Sequence, residues 1–151
     1  SINISSTKIR KAIQTGDVDK ANLYLGNYFE INGNVVKGKG IGKKIGFPTA
    51  NIIIKENYKL IPNKGVYLIK AKIKNRSYYG MMNIGNRPTL NGKNETLEVN
   101  IFNFNENIYG KSLSIFFLNK IRNEIKFDSI EKLSNQLQKD KDYCKVLINK
   151  F

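Results

Sequence analysis

The chain has 151 residues, 40% of them hydrophobic, and a formal net charge of +14, which suffices for one globular domain with a buried core and argues against disorder. No apolar run reaches membrane-spanning length, no secretory signal opens the chain, and the lone Cys144 rules out an internal disulfide and fits a reducing cytoplasm. The lack of histidine removes the commonest general base and metal ligand, and with a single cysteine it also excludes a Cys/His zinc site.

Ser6 to Leu25 reads as two short helices. Ser5 or Ser6 is placed to cap the first, Ile9, Ala12 and Ile13 form its apolar stripe, and Gly16 ends it. Asp17 is placed to cap the second, which carries Val18, Ala21 and Leu25 on one face and stops at Gly26. Tyr28 to Val36, around Gly33, is the first predicted strand. Next comes KGKGIGKKIGFPTANIII, from Lys37 to Ile54, in which Gly38, Gly40, Gly42 and Gly46 alternate with Lys39, Lys43 and Lys44. Glycines allow a backbone to approach a ligand closely, and successive N–H groups with lysines nearby suit a phosphate. Pro48 biases Phe47 towards an extended shape, and Thr49 and Asn51, two apart, face one side of such a segment. Their two oxygens suit a hard cation or a phosphate. The spacing alone leaves open a plain basic loop ahead of a strand, because a glycine-rich loop is a weak signal.

Ile52 to Ile54 is the second strand. Val66 to Ile73 alternates, with Tyr67, Ile69, Ala71 and Ile73 on one face and Lys70 and Lys72 on the other. Tyr78 to Ile84 follows a turn at Asn75-Arg76, and Thr96 to Phe104 and Leu113 to Leu118 are joined by a loop ending at Tyr109-Gly110. Short strands at this spacing point to an antiparallel sheet or closed barrel. A helix then starts at Asp128, where Asp128 with Glu131 has the form of a capping box and Ser129 competes as the cap. Ile130, Leu133 and Leu137 recur at helical spacing, and Val146 to Phe151 extends the packing.

Without histidine, proton transfer near neutral pH falls to a carboxylate, a perturbed lysine, a tyrosine or Cys144. Glu98 stands out because its neighbours Leu97, Val99 and Ile101 are apolar. It is either on a solvated strand face or held for a purpose.

The segment GIGKKIGFPTAN, from Gly40 to Asn51, resembles the signature of riboflavin kinases. The resemblance continues in Gly65-Val66-Tyr67, in Asn83 to Thr89, in Leu97-Glu98-Val99, in Tyr109-Gly110 and in Arg122 to Phe127. It implies a mainly β fold, a six-stranded antiparallel Greek-key barrel with a C-terminal helix and short N-terminal helices. It implies transfer of a phosphoryl group from ATP to the 5′-hydroxyl of riboflavin, giving FMN and ADP with Mg²⁺. In that scheme Glu98 accepts the hydroxyl proton, and Thr49 and Asn51 hold the metal and the nucleotide. Gly38, Gly40, Lys43 and Lys44 line the triphosphate, Tyr109 stacks on the nucleotide, and Arg122 and Phe127 contact the flavin. From the residues alone, Tyr109 is equally a barrel-edge aromatic, Phe127 a hydrophobic staple and Arg122 a surface charge. Two departures stand out: Asn100 and Lys37 occupy places where the family commonly has histidine.

Ser5 to Arg10 resembles the end of the adenylyltransferase half of bacterial bifunctional flavin-cofactor enzymes. Residues 1–26 are accordingly expected to be a helical linker remnant of that half, and 27–151 the kinase domain, in a chain cut from a longer protein and linked there to an FMN adenylyltransferase domain. The rival reading is a basic β-barrel that binds single-stranded nucleic acid through aromatics and lysines. The lysines are spread along the whole chain, which weighs against it. A flavin-binding barrel without catalysis is the third possibility.

Overall fold

The structure is a computed structural model that describes residues 6–37, 48–55, 60–89 and 92–151, the side chains of 87–89 and 92–94 excepted. Two helices, α1 (Ser6–Gln14) and α2 (Val18–Leu25), precede six strands: β1 (Glu30–Val36), β2 (Ala50–Ile54), β3 (Gly65–Ile73), β4 (Arg76–Thr89), β5 (Gly92–Ile101) and β6 (Ser112–Arg122). Helix α3 (Ile130–Ile148) follows. The strands close into a barrel in the order β1-β2-β5-β4-β3-β6, every pairing antiparallel. The expected Greek-key barrel is therefore the fold.

Alternation decides which side chains fill it. Ile31, Val35, Ile52, Tyr67, Ile69, Met82, Ile84, Leu97, Val99, Ile115 and Phe117 all belong to one interior cluster. The N-terminal helices enter that same cluster through Ala12, Ile13, Val18 and Ala21, so α1 and α2 are part of the barrel's core packing. Asn22 fastens them, its amide donating to the Phe117 carbonyl at 2.8 Å while its oxygen accepts from the Phe29 N–H at 2.6 Å. Gly16, with φ of 83°, turns the chain between the helices where an added Cβ would lie 2.8 Å from the Tyr67 hydroxyl. That hydroxyl donates to the Asn63 carbonyl, and burial pushes its pKa above the usual tyrosine value.

A second apolar layer lies outside the barrel. Val66, Leu68, Met81, Phe102 and Leu118 face outwards and are covered by α3 through Cys144, with Leu137, Leu147 and Ile148 packed alongside. The first half of β3 is thus buried on both faces, which a simple alternation of Tyr67, Ile69 and Ala71 against lysines does not reveal.

Local details correct several expectations. Ser129 caps α3, its hydroxyl accepting from the Lys132 N–H at 3.1 Å, so Asp128 is not the cap. Asp17 makes no side-chain cap bond to α2. The β3–β4 turn is Lys74-Asn75, with Lys74 at φ of 57°, and Arg76 already belongs to β4. Ile130, Val146 and Phe151 are exposed, so the packed stripe of α3 runs through Leu137 and Cys144 to Leu147 and Ile148, the part of the 146–151 stretch that does extend the packing.

Candidate functional site

Register brings the candidate residues together. Asn51 of β2 pairs with Glu98 of β5, Glu98 pairs with Asn83 of β4, Asn83 pairs with Val66 of β3, and Val66 pairs with Arg122 of β6. One continuous rung therefore crosses five strands. Its neighbours Ala50, Val99 and Met82 face the interior cluster, so Asn51, Glu98 and Asn83 face outwards and are half-buried. Directly opposed residues hold their Cβ atoms about 5 Å apart, so Asn51 and Asn83 flank Glu98 on either side.

The rung reaches Arg122 because β6 is irregular. The pairing of β3 with β6 shifts between Leu68 and Ile69 and again between Val66 and Tyr67. Bulges re-aim side chains. Here Ile121 joins the outer cluster beneath α3 while Arg122 turns to the same side. Its Nε donates to both carboxylate oxygens of Asp140 at 3.0 Å, and its Nη2 lies 2.9 Å from Oδ2. The Asp140 side chain is 2% exposed and also accepts from the Gln136 amide at 2.9 Å. Arg122 further donates to the Asn123 carbonyl at 3.0 Å, and its guanidinium carbon stands 5.8 Å from the centre of the Phe127 ring. Phe127 and Ile125, with Lys132, Gln136 and Lys139 opposite, line an open groove of about 570 Å³.

At the other end of the rung, Thr49 is exposed just ahead of β2. Among the described residues, no hydrogen bond or ion pair engages the side chains of Thr49, Asn51, Asn83 or Glu98. Their oxygen atoms are available to a ligand. Tyr109 is 56% exposed in a turn closed by the Lys111 N–H donating to the Ile108 carbonyl at 2.9 Å and tied to β1 by the Gly110 N–H donating to the Val35 carbonyl at 2.9 Å. The Lys37 ammonium sits 5.8 Å from the centre of its ring. Val36 pairs with Asn51, so Tyr109 stands beside the point where β1 leads towards the glycine-rich segment. Gly38, Gly40, Lys43 and Lys44 lie outside the described residues.

Cys144 is removed from the set of proton acceptors. It is fully buried on the barrel-facing side of α3, and burial, with the Asp140 charge second, pushes its thiol up to about 12.

Sequence reasoning missed Asp140. A signal was present: it stands three residues after Leu137 and four before Cys144, on the helix's apolar stripe, where a carboxylate is buried only with a partner. Asn83 was visible only as part of a longer matching segment, and its place beside Glu98 depends on a register that no local pattern encodes.

The family model described as Flavokinase, riboflavin kinase, matches residues 25–148. The chain is 44% identical over 147 residues to a bifunctional riboflavin kinase/FMN adenylyltransferase of Haemophilus influenzae, covering 97% of this chain and 47% of that protein. The protein of the same name in Bacillus subtilis is 43% identical over 141 residues, covering 91% of this chain and 44% of its own. The chain spans about half the length of the curated relatives it matches. Among solved structures, one titled a macrolide-efflux protein from Streptococcus pneumoniae superposes with a TM-score of 0.89 at 39% identity, covering 94% of this chain and 46% of that one. No helix among the described residues is long and apolar enough to cross a membrane. A riboflavin kinase from Trypanosoma brucei superposes with a TM-score of 0.55 at 24% identity, each chain covered to 80%, which speaks to the fold.

Proposed function

The chain belongs to the riboflavin kinase family, and from that membership we propose that it transfers the terminal phosphoryl group of ATP to the 5′-hydroxyl of riboflavin, giving FMN and ADP. The observation that carries the residue roles is the outward rung Asn51–Glu98–Asn83 with Arg122 at its far end. From Glu98 to Arg122 is three strand spacings, roughly 14 Å along the sheet. A flavin with its extended ribityl chain is of comparable length. Its hydroxyl end lies at Glu98, and its ring lies towards Arg122 and Phe127.

Glu98 accepts the proton of the hydroxyl as the new P–O bond forms, which matters because an alcohol is a poor nucleophile at neutral pH. Asn51 and Asn83, one on each side, hold the hydroxyl and phosphate oxygens in line. Tyr109 supplies an exposed ring for the nucleotide base, and Gly38, Gly40, Lys43 and Lys44 surround the triphosphate.

Mg²⁺ fits the donor set. Thr49 and Asn51 offer neutral oxygens beside the Glu98 carboxylate, all hard ligands. Among the described residues no three carboxylates, cysteines or histidines form an all-protein cage, and magnesium typically relies on few protein ligands plus substrate phosphates. When bound, it neutralises charge on the phosphate oxygens. Thr49 and Asn51 would hold it.

The relatives are named bifunctional and this chain spans about half their length. We therefore place it in a longer protein, linked to an FMN adenylyltransferase domain, in the cytoplasm. The test is FMN formation from riboflavin and ATP with and without Mg²⁺. Magnesium-dependent turnover is expected. Saturable binding of flavin and ADP without turnover would overturn the catalytic reading in favour of a flavin-binding barrel.

A further inference from the structure

The pairing of β2 with β5 is short. It consists of Ala50 with Val99 and Asn51 with Glu98, and stops there. Pro48 and Thr49 lie ahead of the ladder, outside any strand. Proline has no N–H, so the Pro48 main chain offers only its carbonyl. The Asn100 amide takes that carbonyl at 2.6 Å. Asn100 is 8% exposed and stands two residues from Glu98 on the same outward face of β5. A side-chain donor thus continues the ladder where the backbone cannot.

The donor itself is rigidly mounted. Asn100 pairs with Met81 of β4. At the adjoining Gly80, an added Cβ would lie 2.5 Å from the Asn100 carbonyl, so only glycine permits this approach of the two strands. The amide orientation is fixed by chemistry, because only an N–H can meet a carbonyl at this distance.

We propose that Asn100 is a positioning residue: it ties the Pro48 carbonyl to the strand that carries Glu98 and so sets Thr49 and Asn51 relative to the base. The inference rests on the reading of Thr49 and Asn51 as ligands of the metal–nucleotide complex. Its distinctive requirement is a donor. Asn100→Asp keeps the shape and removes the N–H, placing a carboxylate against a carbonyl. Asn100→His restores a donor, since its Nδ1 can occupy the position of the amide nitrogen.

The experiment reads two quantities on the purified chain: amide hydrogen exchange at Thr49 to Asn51, and affinity for Mg²⁺·ADP by calorimetry. In Asn100→Asp, exchange is expected roughly five- to tenfold faster, the factor that one hydrogen bond's net stabilisation sets on a local opening. Affinity is expected to fall on the order of 10- to 100-fold, the usual effect of losing a group that orients a ligand. Asn100→His is expected to recover most of both. Should Asn100→Asp not fold, Asn100→Ser, too short to reach Pro48, is measured instead with the same expectations.

Unchanged exchange at these amides, or failure of His to differ from Asp, overturns the proposal. Thr49→Ala and Asn51→Ala serve as controls for the underlying reading. If neither weakens Mg²⁺·ADP, the ligand assignment fails, whereas the exchange measurement still decides whether Asn100 holds the segment.

Discussion

Asp140→Asn removes one negative charge from beneath α3 and leaves the Arg122 guanidinium without its counter-ion. The carboxylate is 2% exposed and receives three short contacts from Arg122 and one from Gln136. Breaking a buried ion pair from one side typically costs about 3–5 kcal/mol, because the remaining charge is uncompensated. The Arg122 side chain keeps 15% exposure, and asparagine retains one acceptor oxygen, so the lower end, about 3 kcal/mol, is expected. For a domain of this size each 1 kcal/mol lowers the melting temperature by roughly 2–4 °C, giving a fall of about 6–12 °C. Thermal unfolding measures this. The same variant should bind riboflavin more weakly, since Arg122 also stands over Phe127. The double variant Asp140→Leu with Arg122→Met separates the two effects. An apolar pair of similar size is often as stable as a buried ion pair, so it should recover stability while leaving flavin affinity low. A loss of less than about 0.5 kcal/mol in Asp140→Asn, the range of ordinary surface changes, would refute the reasoning that this pair fastens α3 to the barrel.

Glu98→Gln should lower kcat on the order of 10²–10⁴-fold while retaining both substrates and normal unfolding, as measured by single-turnover FMN formation; a loss below about tenfold would leave the chain without its base. Thr49→Ala and Asn51→Ala should raise the Mg²⁺ concentration needed for half-maximal rate without changing the melting temperature, and unchanged magnesium dependence in both would sink their assignment. Cys144, pushed up to about 12 by burial, should resist alkylation in the folded chain at pH 8 and react on unfolding. Its stabilising contribution, with that of Tyr67 in the same direction, is complete below pH 9 and fades as pH rises towards 12, because only the unfolded thiol ionises there; a melting temperature flat from pH 9 to pH 11 would contradict this. Purified, the chain should yield no FAD from FMN and ATP, because only Ser5 to Arg10 resembles the adenylyltransferase half and the sequence has no histidine to form that half's nucleotide motif.

Much of the barrel was legible because its interior obeys a strict period of two. Tyr67, Ile69 and Ala71 announced β3, and their inward placement followed. What period two cannot show is a strand covered twice. Val66 and Leu68 are buried by α3, a contact that joins distant parts of the chain. β4 ran longer than expected at both ends and β5 began earlier, since Arg76 and Gly92 carry no strand propensity of their own and are held by pairing, whereas β5 stopped at Ile101 and not at Phe104. At the candidate site, residue types were readable and neighbours were not. Glu98 looked conspicuous from its apolar flanks, yet the asparagines beside it come from β2 and β4. Arg122 faces α3 only because of the irregular pairing of β6 with β3, which the alternation of β6 gives no hint of.

Barrel closure has a consequence for how the chain must be made. β1 finds its second partner in β6, with Glu30 opposite Phe116, while β3, β4 and β5 form a local meander. Contacts between distant residues form slowly, because loop-closure entropy precedes their reward. During synthesis the meander can therefore assemble early, whereas β1 waits until Ser112 to Arg122 has left the ribosome. The helices wait with it, since Asn22 takes its carbonyl from Phe117. Until then Val18 and Ala21, which end fully buried, have no core to enter. The apolar helical pair thus emerges well ahead of the strand it packs on, and a ribosome stall before Phe117 would present that pair to chaperones.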